Sequence, residues 1–462
     1  MMRMRVMRAL LLIIFGAIIL SCTAPKPPAG KTLIEFWDFP RLPAIKKWQE
    51  ELIAQYNIDH PDVFVRLTRL SWAKGSERLD IAAFSGRPPD VAGGVFKVKY
   101  VESGLLAPLD SYLDEPVSKD AKGTFRDDIY PGDLRNVQWR GKTYAFPWYR
   151  EGFLLLLNRD LFEERKVPLP KDGKWTWDEF IDVMHKMTFD RDGDGKIDVY
   201  GVGFNTGKEK WEAYPFLFAE GMKILSDDGR KCIIDSPETR RGIERLLQME
   251  YREKISLPGA GGIQDDTTWT MFTGPGRQLA ATSQGLWAMQ SVKDQNRQRK
   301  EKIASGELSD DAPPPLRVAV ALFPQMPGQP QRMASYGVGS LMVFKRPTDP
   351  KRTEAAARFA RYMTLEMGQA INKEAGLFPV RKAYSDLYKD DPDYSIIAPY
   401  TIDSITPPIH PAWSQLDQVI GEQLQLILLG KTDVDTGVKR MQRRCQIVLD
   451  GYWASADAEH GS

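Results

Sequence analysis

Residues 32–36 (TLIEF), apolar at 33, 34 and 36, read as a short strand ending on Trp37-Asp38-Phe39-Pro40. Ile45, Trp48, Leu52 and Tyr56 then recur at helical spacing with Lys46, Lys47, Glu50 and Glu51 between them, a helix over 44–58 that His60-Pro61-Asp62 stops. Apolar and polar positions alternate over 63–70 (VFVRLTRL), and a helix over 76–84 ends at Gly86 before Arg87-Pro88-Pro89 turns the chain. Strand, helix, strand, helix is the rhythm of a parallel sheet with crossover helices. Ligands of such sheets sit at the carboxyl ends of the strands, which makes Trp37 and Asp38 candidate site residues. Farther on, 141–163 reads GKTYAFPWYREGFLLLLNRDLFE. Its five consecutive apolar residues, 153–157, lie between turn formers and predict a strand buried on both faces. Pro147 cannot donate to a ladder, so one sheet is expected to stop there and a second to begin, a crossing between two lobes. The competing reading is one strand with a proline bulge.

Thr176 and Glu179 have the spacing of a capping box for a helix to about 187, and residues 204–225 pass a turn into a helix with Trp211 and Tyr214 at its start. Ser236 caps a helix over 237–252, and Trp287 follows a strand and turn. Residues 297–315 are highly charged and then Pro-rich, which reads as a surface excursion. Strands are expected at 317–323 and 337–344, and helices at 353–374, 412–429 and 433–453. Trp48, Trp175 and Trp177 fit packing positions. No internal repeat is visible.

The N-terminus changes the picture from an ordinary soluble chain to an exported one. Arg3, Arg5 and Arg8 precede an uncharged apolar run over 9–20, too short to span a bilayer and suited to a signal peptide over 1–21. Ile19-Leu20-Ser21-Cys22 resembles the lipobox of bacterial lipoproteins, which would leave Cys22 as the lipidated first residue, although Leu20 fits less well than a small residue. The other reading is plain secretion with an incidental cysteine. Residues 22–31, rich in Pro and small residues, form a tether. Loss of three arginines takes the net charge from +1 to −2, and no basic stripe with interleaved aromatics is present, so nucleic acid is not an expected partner. Cys232 and Cys445 are too few for a disulfide framework; they pair in an oxidising compartment or sit as buried thiols, and the unpaired form is favoured. His60, His185, His410 and His460 show no ligand spacing, and no CxxC occurs.

Asp190, Asp192, Asp194 and Asp198, with Gly195 and the carbonyl of Lys196, match the first nine positions of an EF-hand calcium loop. Position twelve, normally a bidentate Glu, is Gly201. A structural calcium is one reading and an Asp/Gly-rich surface turn the other; no cofactor is required.

Taken in order, Phe36-Trp37, Pro89-Asp90-Val91, Ser103 through Leu109, the stretch 141–162, Trp175 through Phe180 and Gly376 through Arg381 resemble the bacterial family-1 extracellular solute-binding proteins of ABC importers, a maltose-binding-protein-like family. The resemblance runs from about 33 to 448. It implies a two-lobe α/β, periplasmic-binding-protein-like fold (type II) with a ligand cleft between the lobes and hinge crossings near 145–148, 335–338 and 379–386. Lobe 1 would then be 32–146 plus 338–380, and lobe 2 would be 147–337 plus 381–462. By the same resemblance Trp211, Trp287 and Trp413 fall at stacking positions and Glu209 at an acidic one. Trp37, Asp38 and Arg41 would supply the first lobe's contacts, and Trp148, Tyr149, Tyr336 and Arg381 lie at the crossings. Gly94-Val95-Phe96-Lys97 departs from the pattern, lacking an aromatic and an acid, which puts maltose itself in doubt.

Indoles that lie on the C–H face of a pyranose, with carboxylates and guanidinium groups for its hydroxyls, suit a sugar. The resemblance thus implies a monomeric lipoprotein on the extracytoplasmic face of the cell membrane. It would capture a carbohydrate and deliver it to an ABC importer permease, and would not be an enzyme. Two other classes remain: a secreted glycoside hydrolase, for which no acid/nucleophile pair stands out, and a binding module that senses without transport.

Overall fold

A computed structural model describes residues 28, 30–40, 42–206, 210–263, 266–309, 314–366 and 370–460. Cys22, Arg41 and Glu209 lie outside the described residues. The strands are β1 (Thr32–Asp38), β2 (Val63–Arg69), β3 (Val91–Val95), β4 (Gln138–Trp139), β5 (Lys142–Thr143), β6 (Ala145–Arg150), β7 (Phe153–Asn158), β8 (Tyr200–Gly203), β9 (Leu279–Gly285), β10 (Val318–Ala321), β11 (Val338–Val343) and β12 (Phe378–Pro379). They form a six-stranded sheet in the order β12-β6-β11-β3-β1-β2, a four-stranded sheet in the order β10-β7-β9-β8, and the β4–β5 hairpin. β1 pairs in parallel with β2 and β3, with the helix Pro43–Asp59 as the crossover, as the alternation and helical spacing predict. Among the described residues no helix is long and apolar enough to cross a membrane.

The 153–157 run is the strand it predicts. Leu154 and Leu156 enter the core that continues into the six-stranded sheet, while Phe153, Leu155 and Leu157 enter a second core with the helices Trp413–Leu428 and Val434–His460. β7 is therefore covered on both faces.

Pro147 is not the crossing. β6 runs through it, every residue from Ala145 to Arg150 is buried, and the register against β11 slips where Ser340 faces Pro147 and Gly339 faces Tyr149. The missing donor of Pro147 is thus absorbed by an irregularity inside one strand. Gly339 makes room there: a Cβ on it would lie 2.1 Å from the Tyr149 ring. The chain changes sheets at Glu151-Gly152, between β6 and β7.

A second passage, Ser335–Gly337, runs beside the first. The Phe153 amide donates to the Ala334 carbonyl at 2.8 Å. Ser335 Oγ donates to the Glu151 carbonyl at 2.5 Å and the Gly337 carbonyl at 3.0 Å. Gly337 turns with φ +109°, left-handed backbone suited to glycine. The third passage is longer than 379–386. Arg381 still pairs with Ile129, and only at Ile405 does the chain join the second passage, through Ala334. In between, Tyr388 and Tyr394 pack on Phe378, with ring centroids 4.8 and 5.9 Å away, which holds this stretch on the first core. The charged stretch from 297 is also not loop at first, because the helix Trp287–Ala304 runs into it with Ala288, Met289 and Val292 buried.

Candidate functional site

Strand directions decide which side chains can meet. β6 and β3 both run antiparallel to β11, so β6 is parallel to β3 and β1. The carboxyl ends of β1, β2 and β3 therefore lie on the sheet edge from which Glu151-Gly152 leaves. In the smaller sheet Phe153 at the start of β7 faces Gly285 at the end of β9, and β8 runs parallel to β9. The segments after β8 and β9, which carry Trp211 and Trp287, thus emerge on the edge facing the six-stranded sheet.

On the second lobe these segments carry two aromatic groups and one polar cluster. Trp211, in a turn over Lys210–Glu212, lies 4.1 Å from Tyr336, and Tyr336 lies 4.5 Å from Phe153, centroid to centroid. Trp287 lies 5.2 Å from Trp269. Gly285 lets that indole fold back over its strand end, since a Cβ there would lie 2.5 Å from Trp287 Nε1. In the polar cluster Glu212 accepts from Thr268 Oγ1 at 2.9 and 3.0 Å and from Gln284 Nε2 at 3.0 Å. Trp211, Tyr336, Trp269, Trp287 and Glu212 are all half-buried. Trp413 is also half-buried at its helix start, and Tyr214 OH donates to Asp417 Oδ1 at 2.7 Å, tying that helix to the Trp211 turn. Trp211 and Tyr336 meet, while Trp287 pairs with Trp269. Trp269, Thr268, Gln284 and Glu212 were not foreseen.

On the first lobe Trp37 is half-buried under the Arg78 guanidinium, 4.8 Å from its ring. Asp38 is fully buried: Gln49 Nε2 donates to its Oδ2 at 2.7 Å and Arg69 lies 3.7 Å away. A Cβ on Gly93 would lie 2.1 Å from its Oδ1. Asp38, expected at the site, is drawn inward and braces the strand ends. The exposed aromatic at this edge is Trp72, 62% accessible, two residues past Leu70 and stacked on Phe39 at 4.6 Å. Its signal was in the sequence, a tryptophan just beyond the carboxyl end of a predicted strand.

Three expected site residues turn out to be internal. Trp148 and Tyr149 are buried in β6, with rings 5.1 Å apart edge-on. Arg381 is buried too, its Nε donating to Asp128 Oδ2 at 2.6 Å and its Nη1 to the Leu365 carbonyl at 3.2 Å, a brace within the first lobe. Of the 148–151 run, Glu151 alone keeps partial exposure.

Two hollows of about 340 and 370 Å³ lie apart from Trp211, Trp269 and Trp287, and Trp139 borders the first. The second is lined by Asp133, Asn136, Arg150, Arg332 and Asp403 beside the passages. There Arg150 Nε donates to Asp133 Oδ2 at 2.8 Å with both side chains buried. Burial pushes the Asp133 carboxyl up to about 7 against the pull of Arg150.

In the acidic loop Asp190, Asp192 and Asp194 each offer a carboxylate oxygen within 4.8 Å of the others. The amides of Gly195 and Gly193 donate to the two Asp190 oxygens at 2.7 Å each, and the Gly195 bond leads in holding that carboxyl below its ordinary range. Asp198 Oδ2 instead accepts the amides of Arg191 and Asp192, and Lys196 Nζ lies 3.1 Å from Asp194. Three carboxylates fit the first positions of a calcium shell; Gly201, inside β8, supplies no carboxylate.

The sequence model described as bacterial extracellular solute-binding protein matches residues 41–370. A putative binding protein of Brucella abortus is 22% identical over 410 residues, 87% of this chain and 89% of that one. A lipoprotein of Streptomyces antibioticus is 26% identical over 206 residues, 44% and 42% of the two chains. An ABC transporter solute-binding protein of Thermotoga lettingae, solved with α-D-tagatose, superposes with a TM-score of 0.71 at 21% identity, covering 91% of this chain and 100% of that one. That likeness shows the two-lobe fold.

Proposed function

We propose, from the premise that this chain belongs to the bacterial extracellular solute-binding proteins, that it captures a carbohydrate between its lobes and delivers it to the permease of an ABC importer. The observation that carries this is the second lobe's edge: Trp211 with Tyr336, and Trp269 with Trp287, together with the Glu212–Gln284 hydrogen bond. Indole faces suit the C–H side of a sugar ring, and carboxylates and side-chain amides suit its hydroxyls. Trp72 and Trp37 would close on the ligand from the first lobe by a hinge motion at the three passages. The tagatose held by the Thermotoga lettingae relative supports the ligand class.

The family consists of binding proteins, so the chain acts without turnover, as a monomer, with Cys22 lipidated at the extracytoplasmic membrane face. The lipoprotein relative supports the anchor. Calorimetric titration of the purified protein with mono- and oligosaccharides should give saturable binding with the sugar recovered unchanged. Released hydrolysis products would refute the reading, and so would the absence of heat across the panel.

The 190–201 loop holds calcium as a brace of the second lobe and takes no part in ligand capture. Calcium should raise the melting temperature and EDTA lower it, with both effects lost in Asp190→Asn. An EDTA-insensitive melt with no metal found by mass spectrometry sinks this assignment.

A further inference from the structure

The two cysteines that the sequence leaves far apart meet inside the second lobe. Cys232 ends a short bridge with Leu225, Cys445 sits on the helix Val434–His460, and both are buried. The two thiols face each other, each the leading influence on the other's acidity. The helix holds Cys232 from both sides. Gln446 Oε1 accepts the Cys232 amide at 2.9 Å, and Gln442 Nε2 donates to the Cys232 carbonyl. These residues lie one position after and three before Cys445, so the face that carries Cys445 is registered on Cys232. Beyond them Trp453 Nε1 donates to the Gly229 carbonyl at 3.2 Å, and Arg230 pairs with Asp457 at 3.1 Å.

We propose that Cys232 and Cys445 form a disulfide in the exported protein, fastening the C-terminal helix to the 225–232 segment. An extracellular location favours this oxidation, which the cytosol suppresses. The oxidant is a disulfide donor of that compartment. The Cys232 thiolate attacks one donor sulfur and releases the other as a thiol. Cys445 Sγ, losing its proton, then attacks Cys232 Sγ and expels the remaining donor thiolate. Two protein thiols are oxidised and one donor disulfide is reduced to two thiols. Because both sulfurs are closed to solvent in the folded protein, exchange precedes the final docking of the helix.

The test is peptide mapping of the full chain purified from an exporting host, alkylated in denaturant without reductant. A linked Cys232–Cys445 peptide is expected. Reductant should then lower the melting temperature by roughly 4–8 °C. Cys232→Ser and Cys445→Ser should each melt below the oxidised wild type and be indifferent to reductant. Thiols that merely pack would leave the wild-type melt unmoved by reductant. That result, or both cysteines alkylated without reductant, overturns the proposal.

Discussion

Replacing Arg150 by Met while leaving Asp133 in place is expected to lower the unfolding free energy by about 3–5 kcal/mol. Arg150 is the last residue of β6 before the first passage, and Asp133 lies on the short helix Pro131–Arg135 beneath it. The variant leaves a buried carboxylate without its 2.8 Å partner and removes the guanidinium that sits 4.2 Å over the Tyr130 ring. Besides Arg150, the charges acting on Asp133 are Arg135, which favours its ionised form, and Asp403, which opposes it. With its carboxyl pushed up to about 7, Asp133 keeps a proton in the folded protein that the unfolded chain has given up above about pH 4. Its contribution to stability is therefore fully present at low pH and declines as pH rises from about 4 through about 7. Without Arg150 the unpaired group holds its proton more firmly, so the deficit of the variant should widen from pH 5 to pH 8. Denaturant melts at both values check this. In the double variant Asp133→Leu with Arg150→Met most of the loss should return, since removing both charges removes the buried unpaired one. A deficit that is the same at both pH values, or no recovery in the double variant, would show that Arg150 acts through packing alone.

Elements whose burial is local were readable from the sequence. The run 153–157 needed nothing but its own composition to be a two-sided strand, and Thr176 and Glu179 form the capping box that their spacing predicts. What failed depended on a partner far away in sequence. Pro147 looked like the end of a sheet because its missing donor is a local fact. The register slip that accommodates it belongs to Gly339 and Ser340, and the side-chain vacancy under Tyr149 belongs to Gly339 alone. Asp38 sits at a strand end that ordinarily faces ligand, but Gln49 on the following helix and the bare Gly93 draw its carboxylate inward. Arg381 likewise finds Asp128, which no spacing rule connects to it. Trp72 could have been found by the rule that selected Trp37, since both lie at carboxyl ends of parallel strands. The polar centre of the site was less accessible: Glu212, Thr268 and Gln284 come from three separate segments and meet only because β8 and β9 end on the same edge.

Trp287→Ala should weaken sugar binding by about 1–3 kcal/mol, roughly 5- to 150-fold in affinity, and Trp211→Ala should do the same. Each indole is half-buried against its own lobe, so only its remaining face contributes to binding, which keeps the loss below that of a fully sequestered anchor. The two variants should differ in stability. Trp287 packs on the half-exposed Trp269, whereas Trp211 lies against Tyr336 and the edge of the buried Tyr214, 5.6 Å away. Removing Trp211 therefore disturbs the second core more, and its melting temperature should fall further than that of Trp287→Ala. Trp177→Phe is the control: Trp177 is buried beside Phe180 at 5.7 Å, outside the cleft, so stability should drop while affinity stays within error. Calorimetric titration and thermal melts on the three variants separate a binding surface from a packing one. If Trp287→Ala binds the best sugar of the panel as tightly as wild type, the edge after β9 does not face the ligand, and the second lobe's wall must then be built around Trp211 and Tyr336 alone.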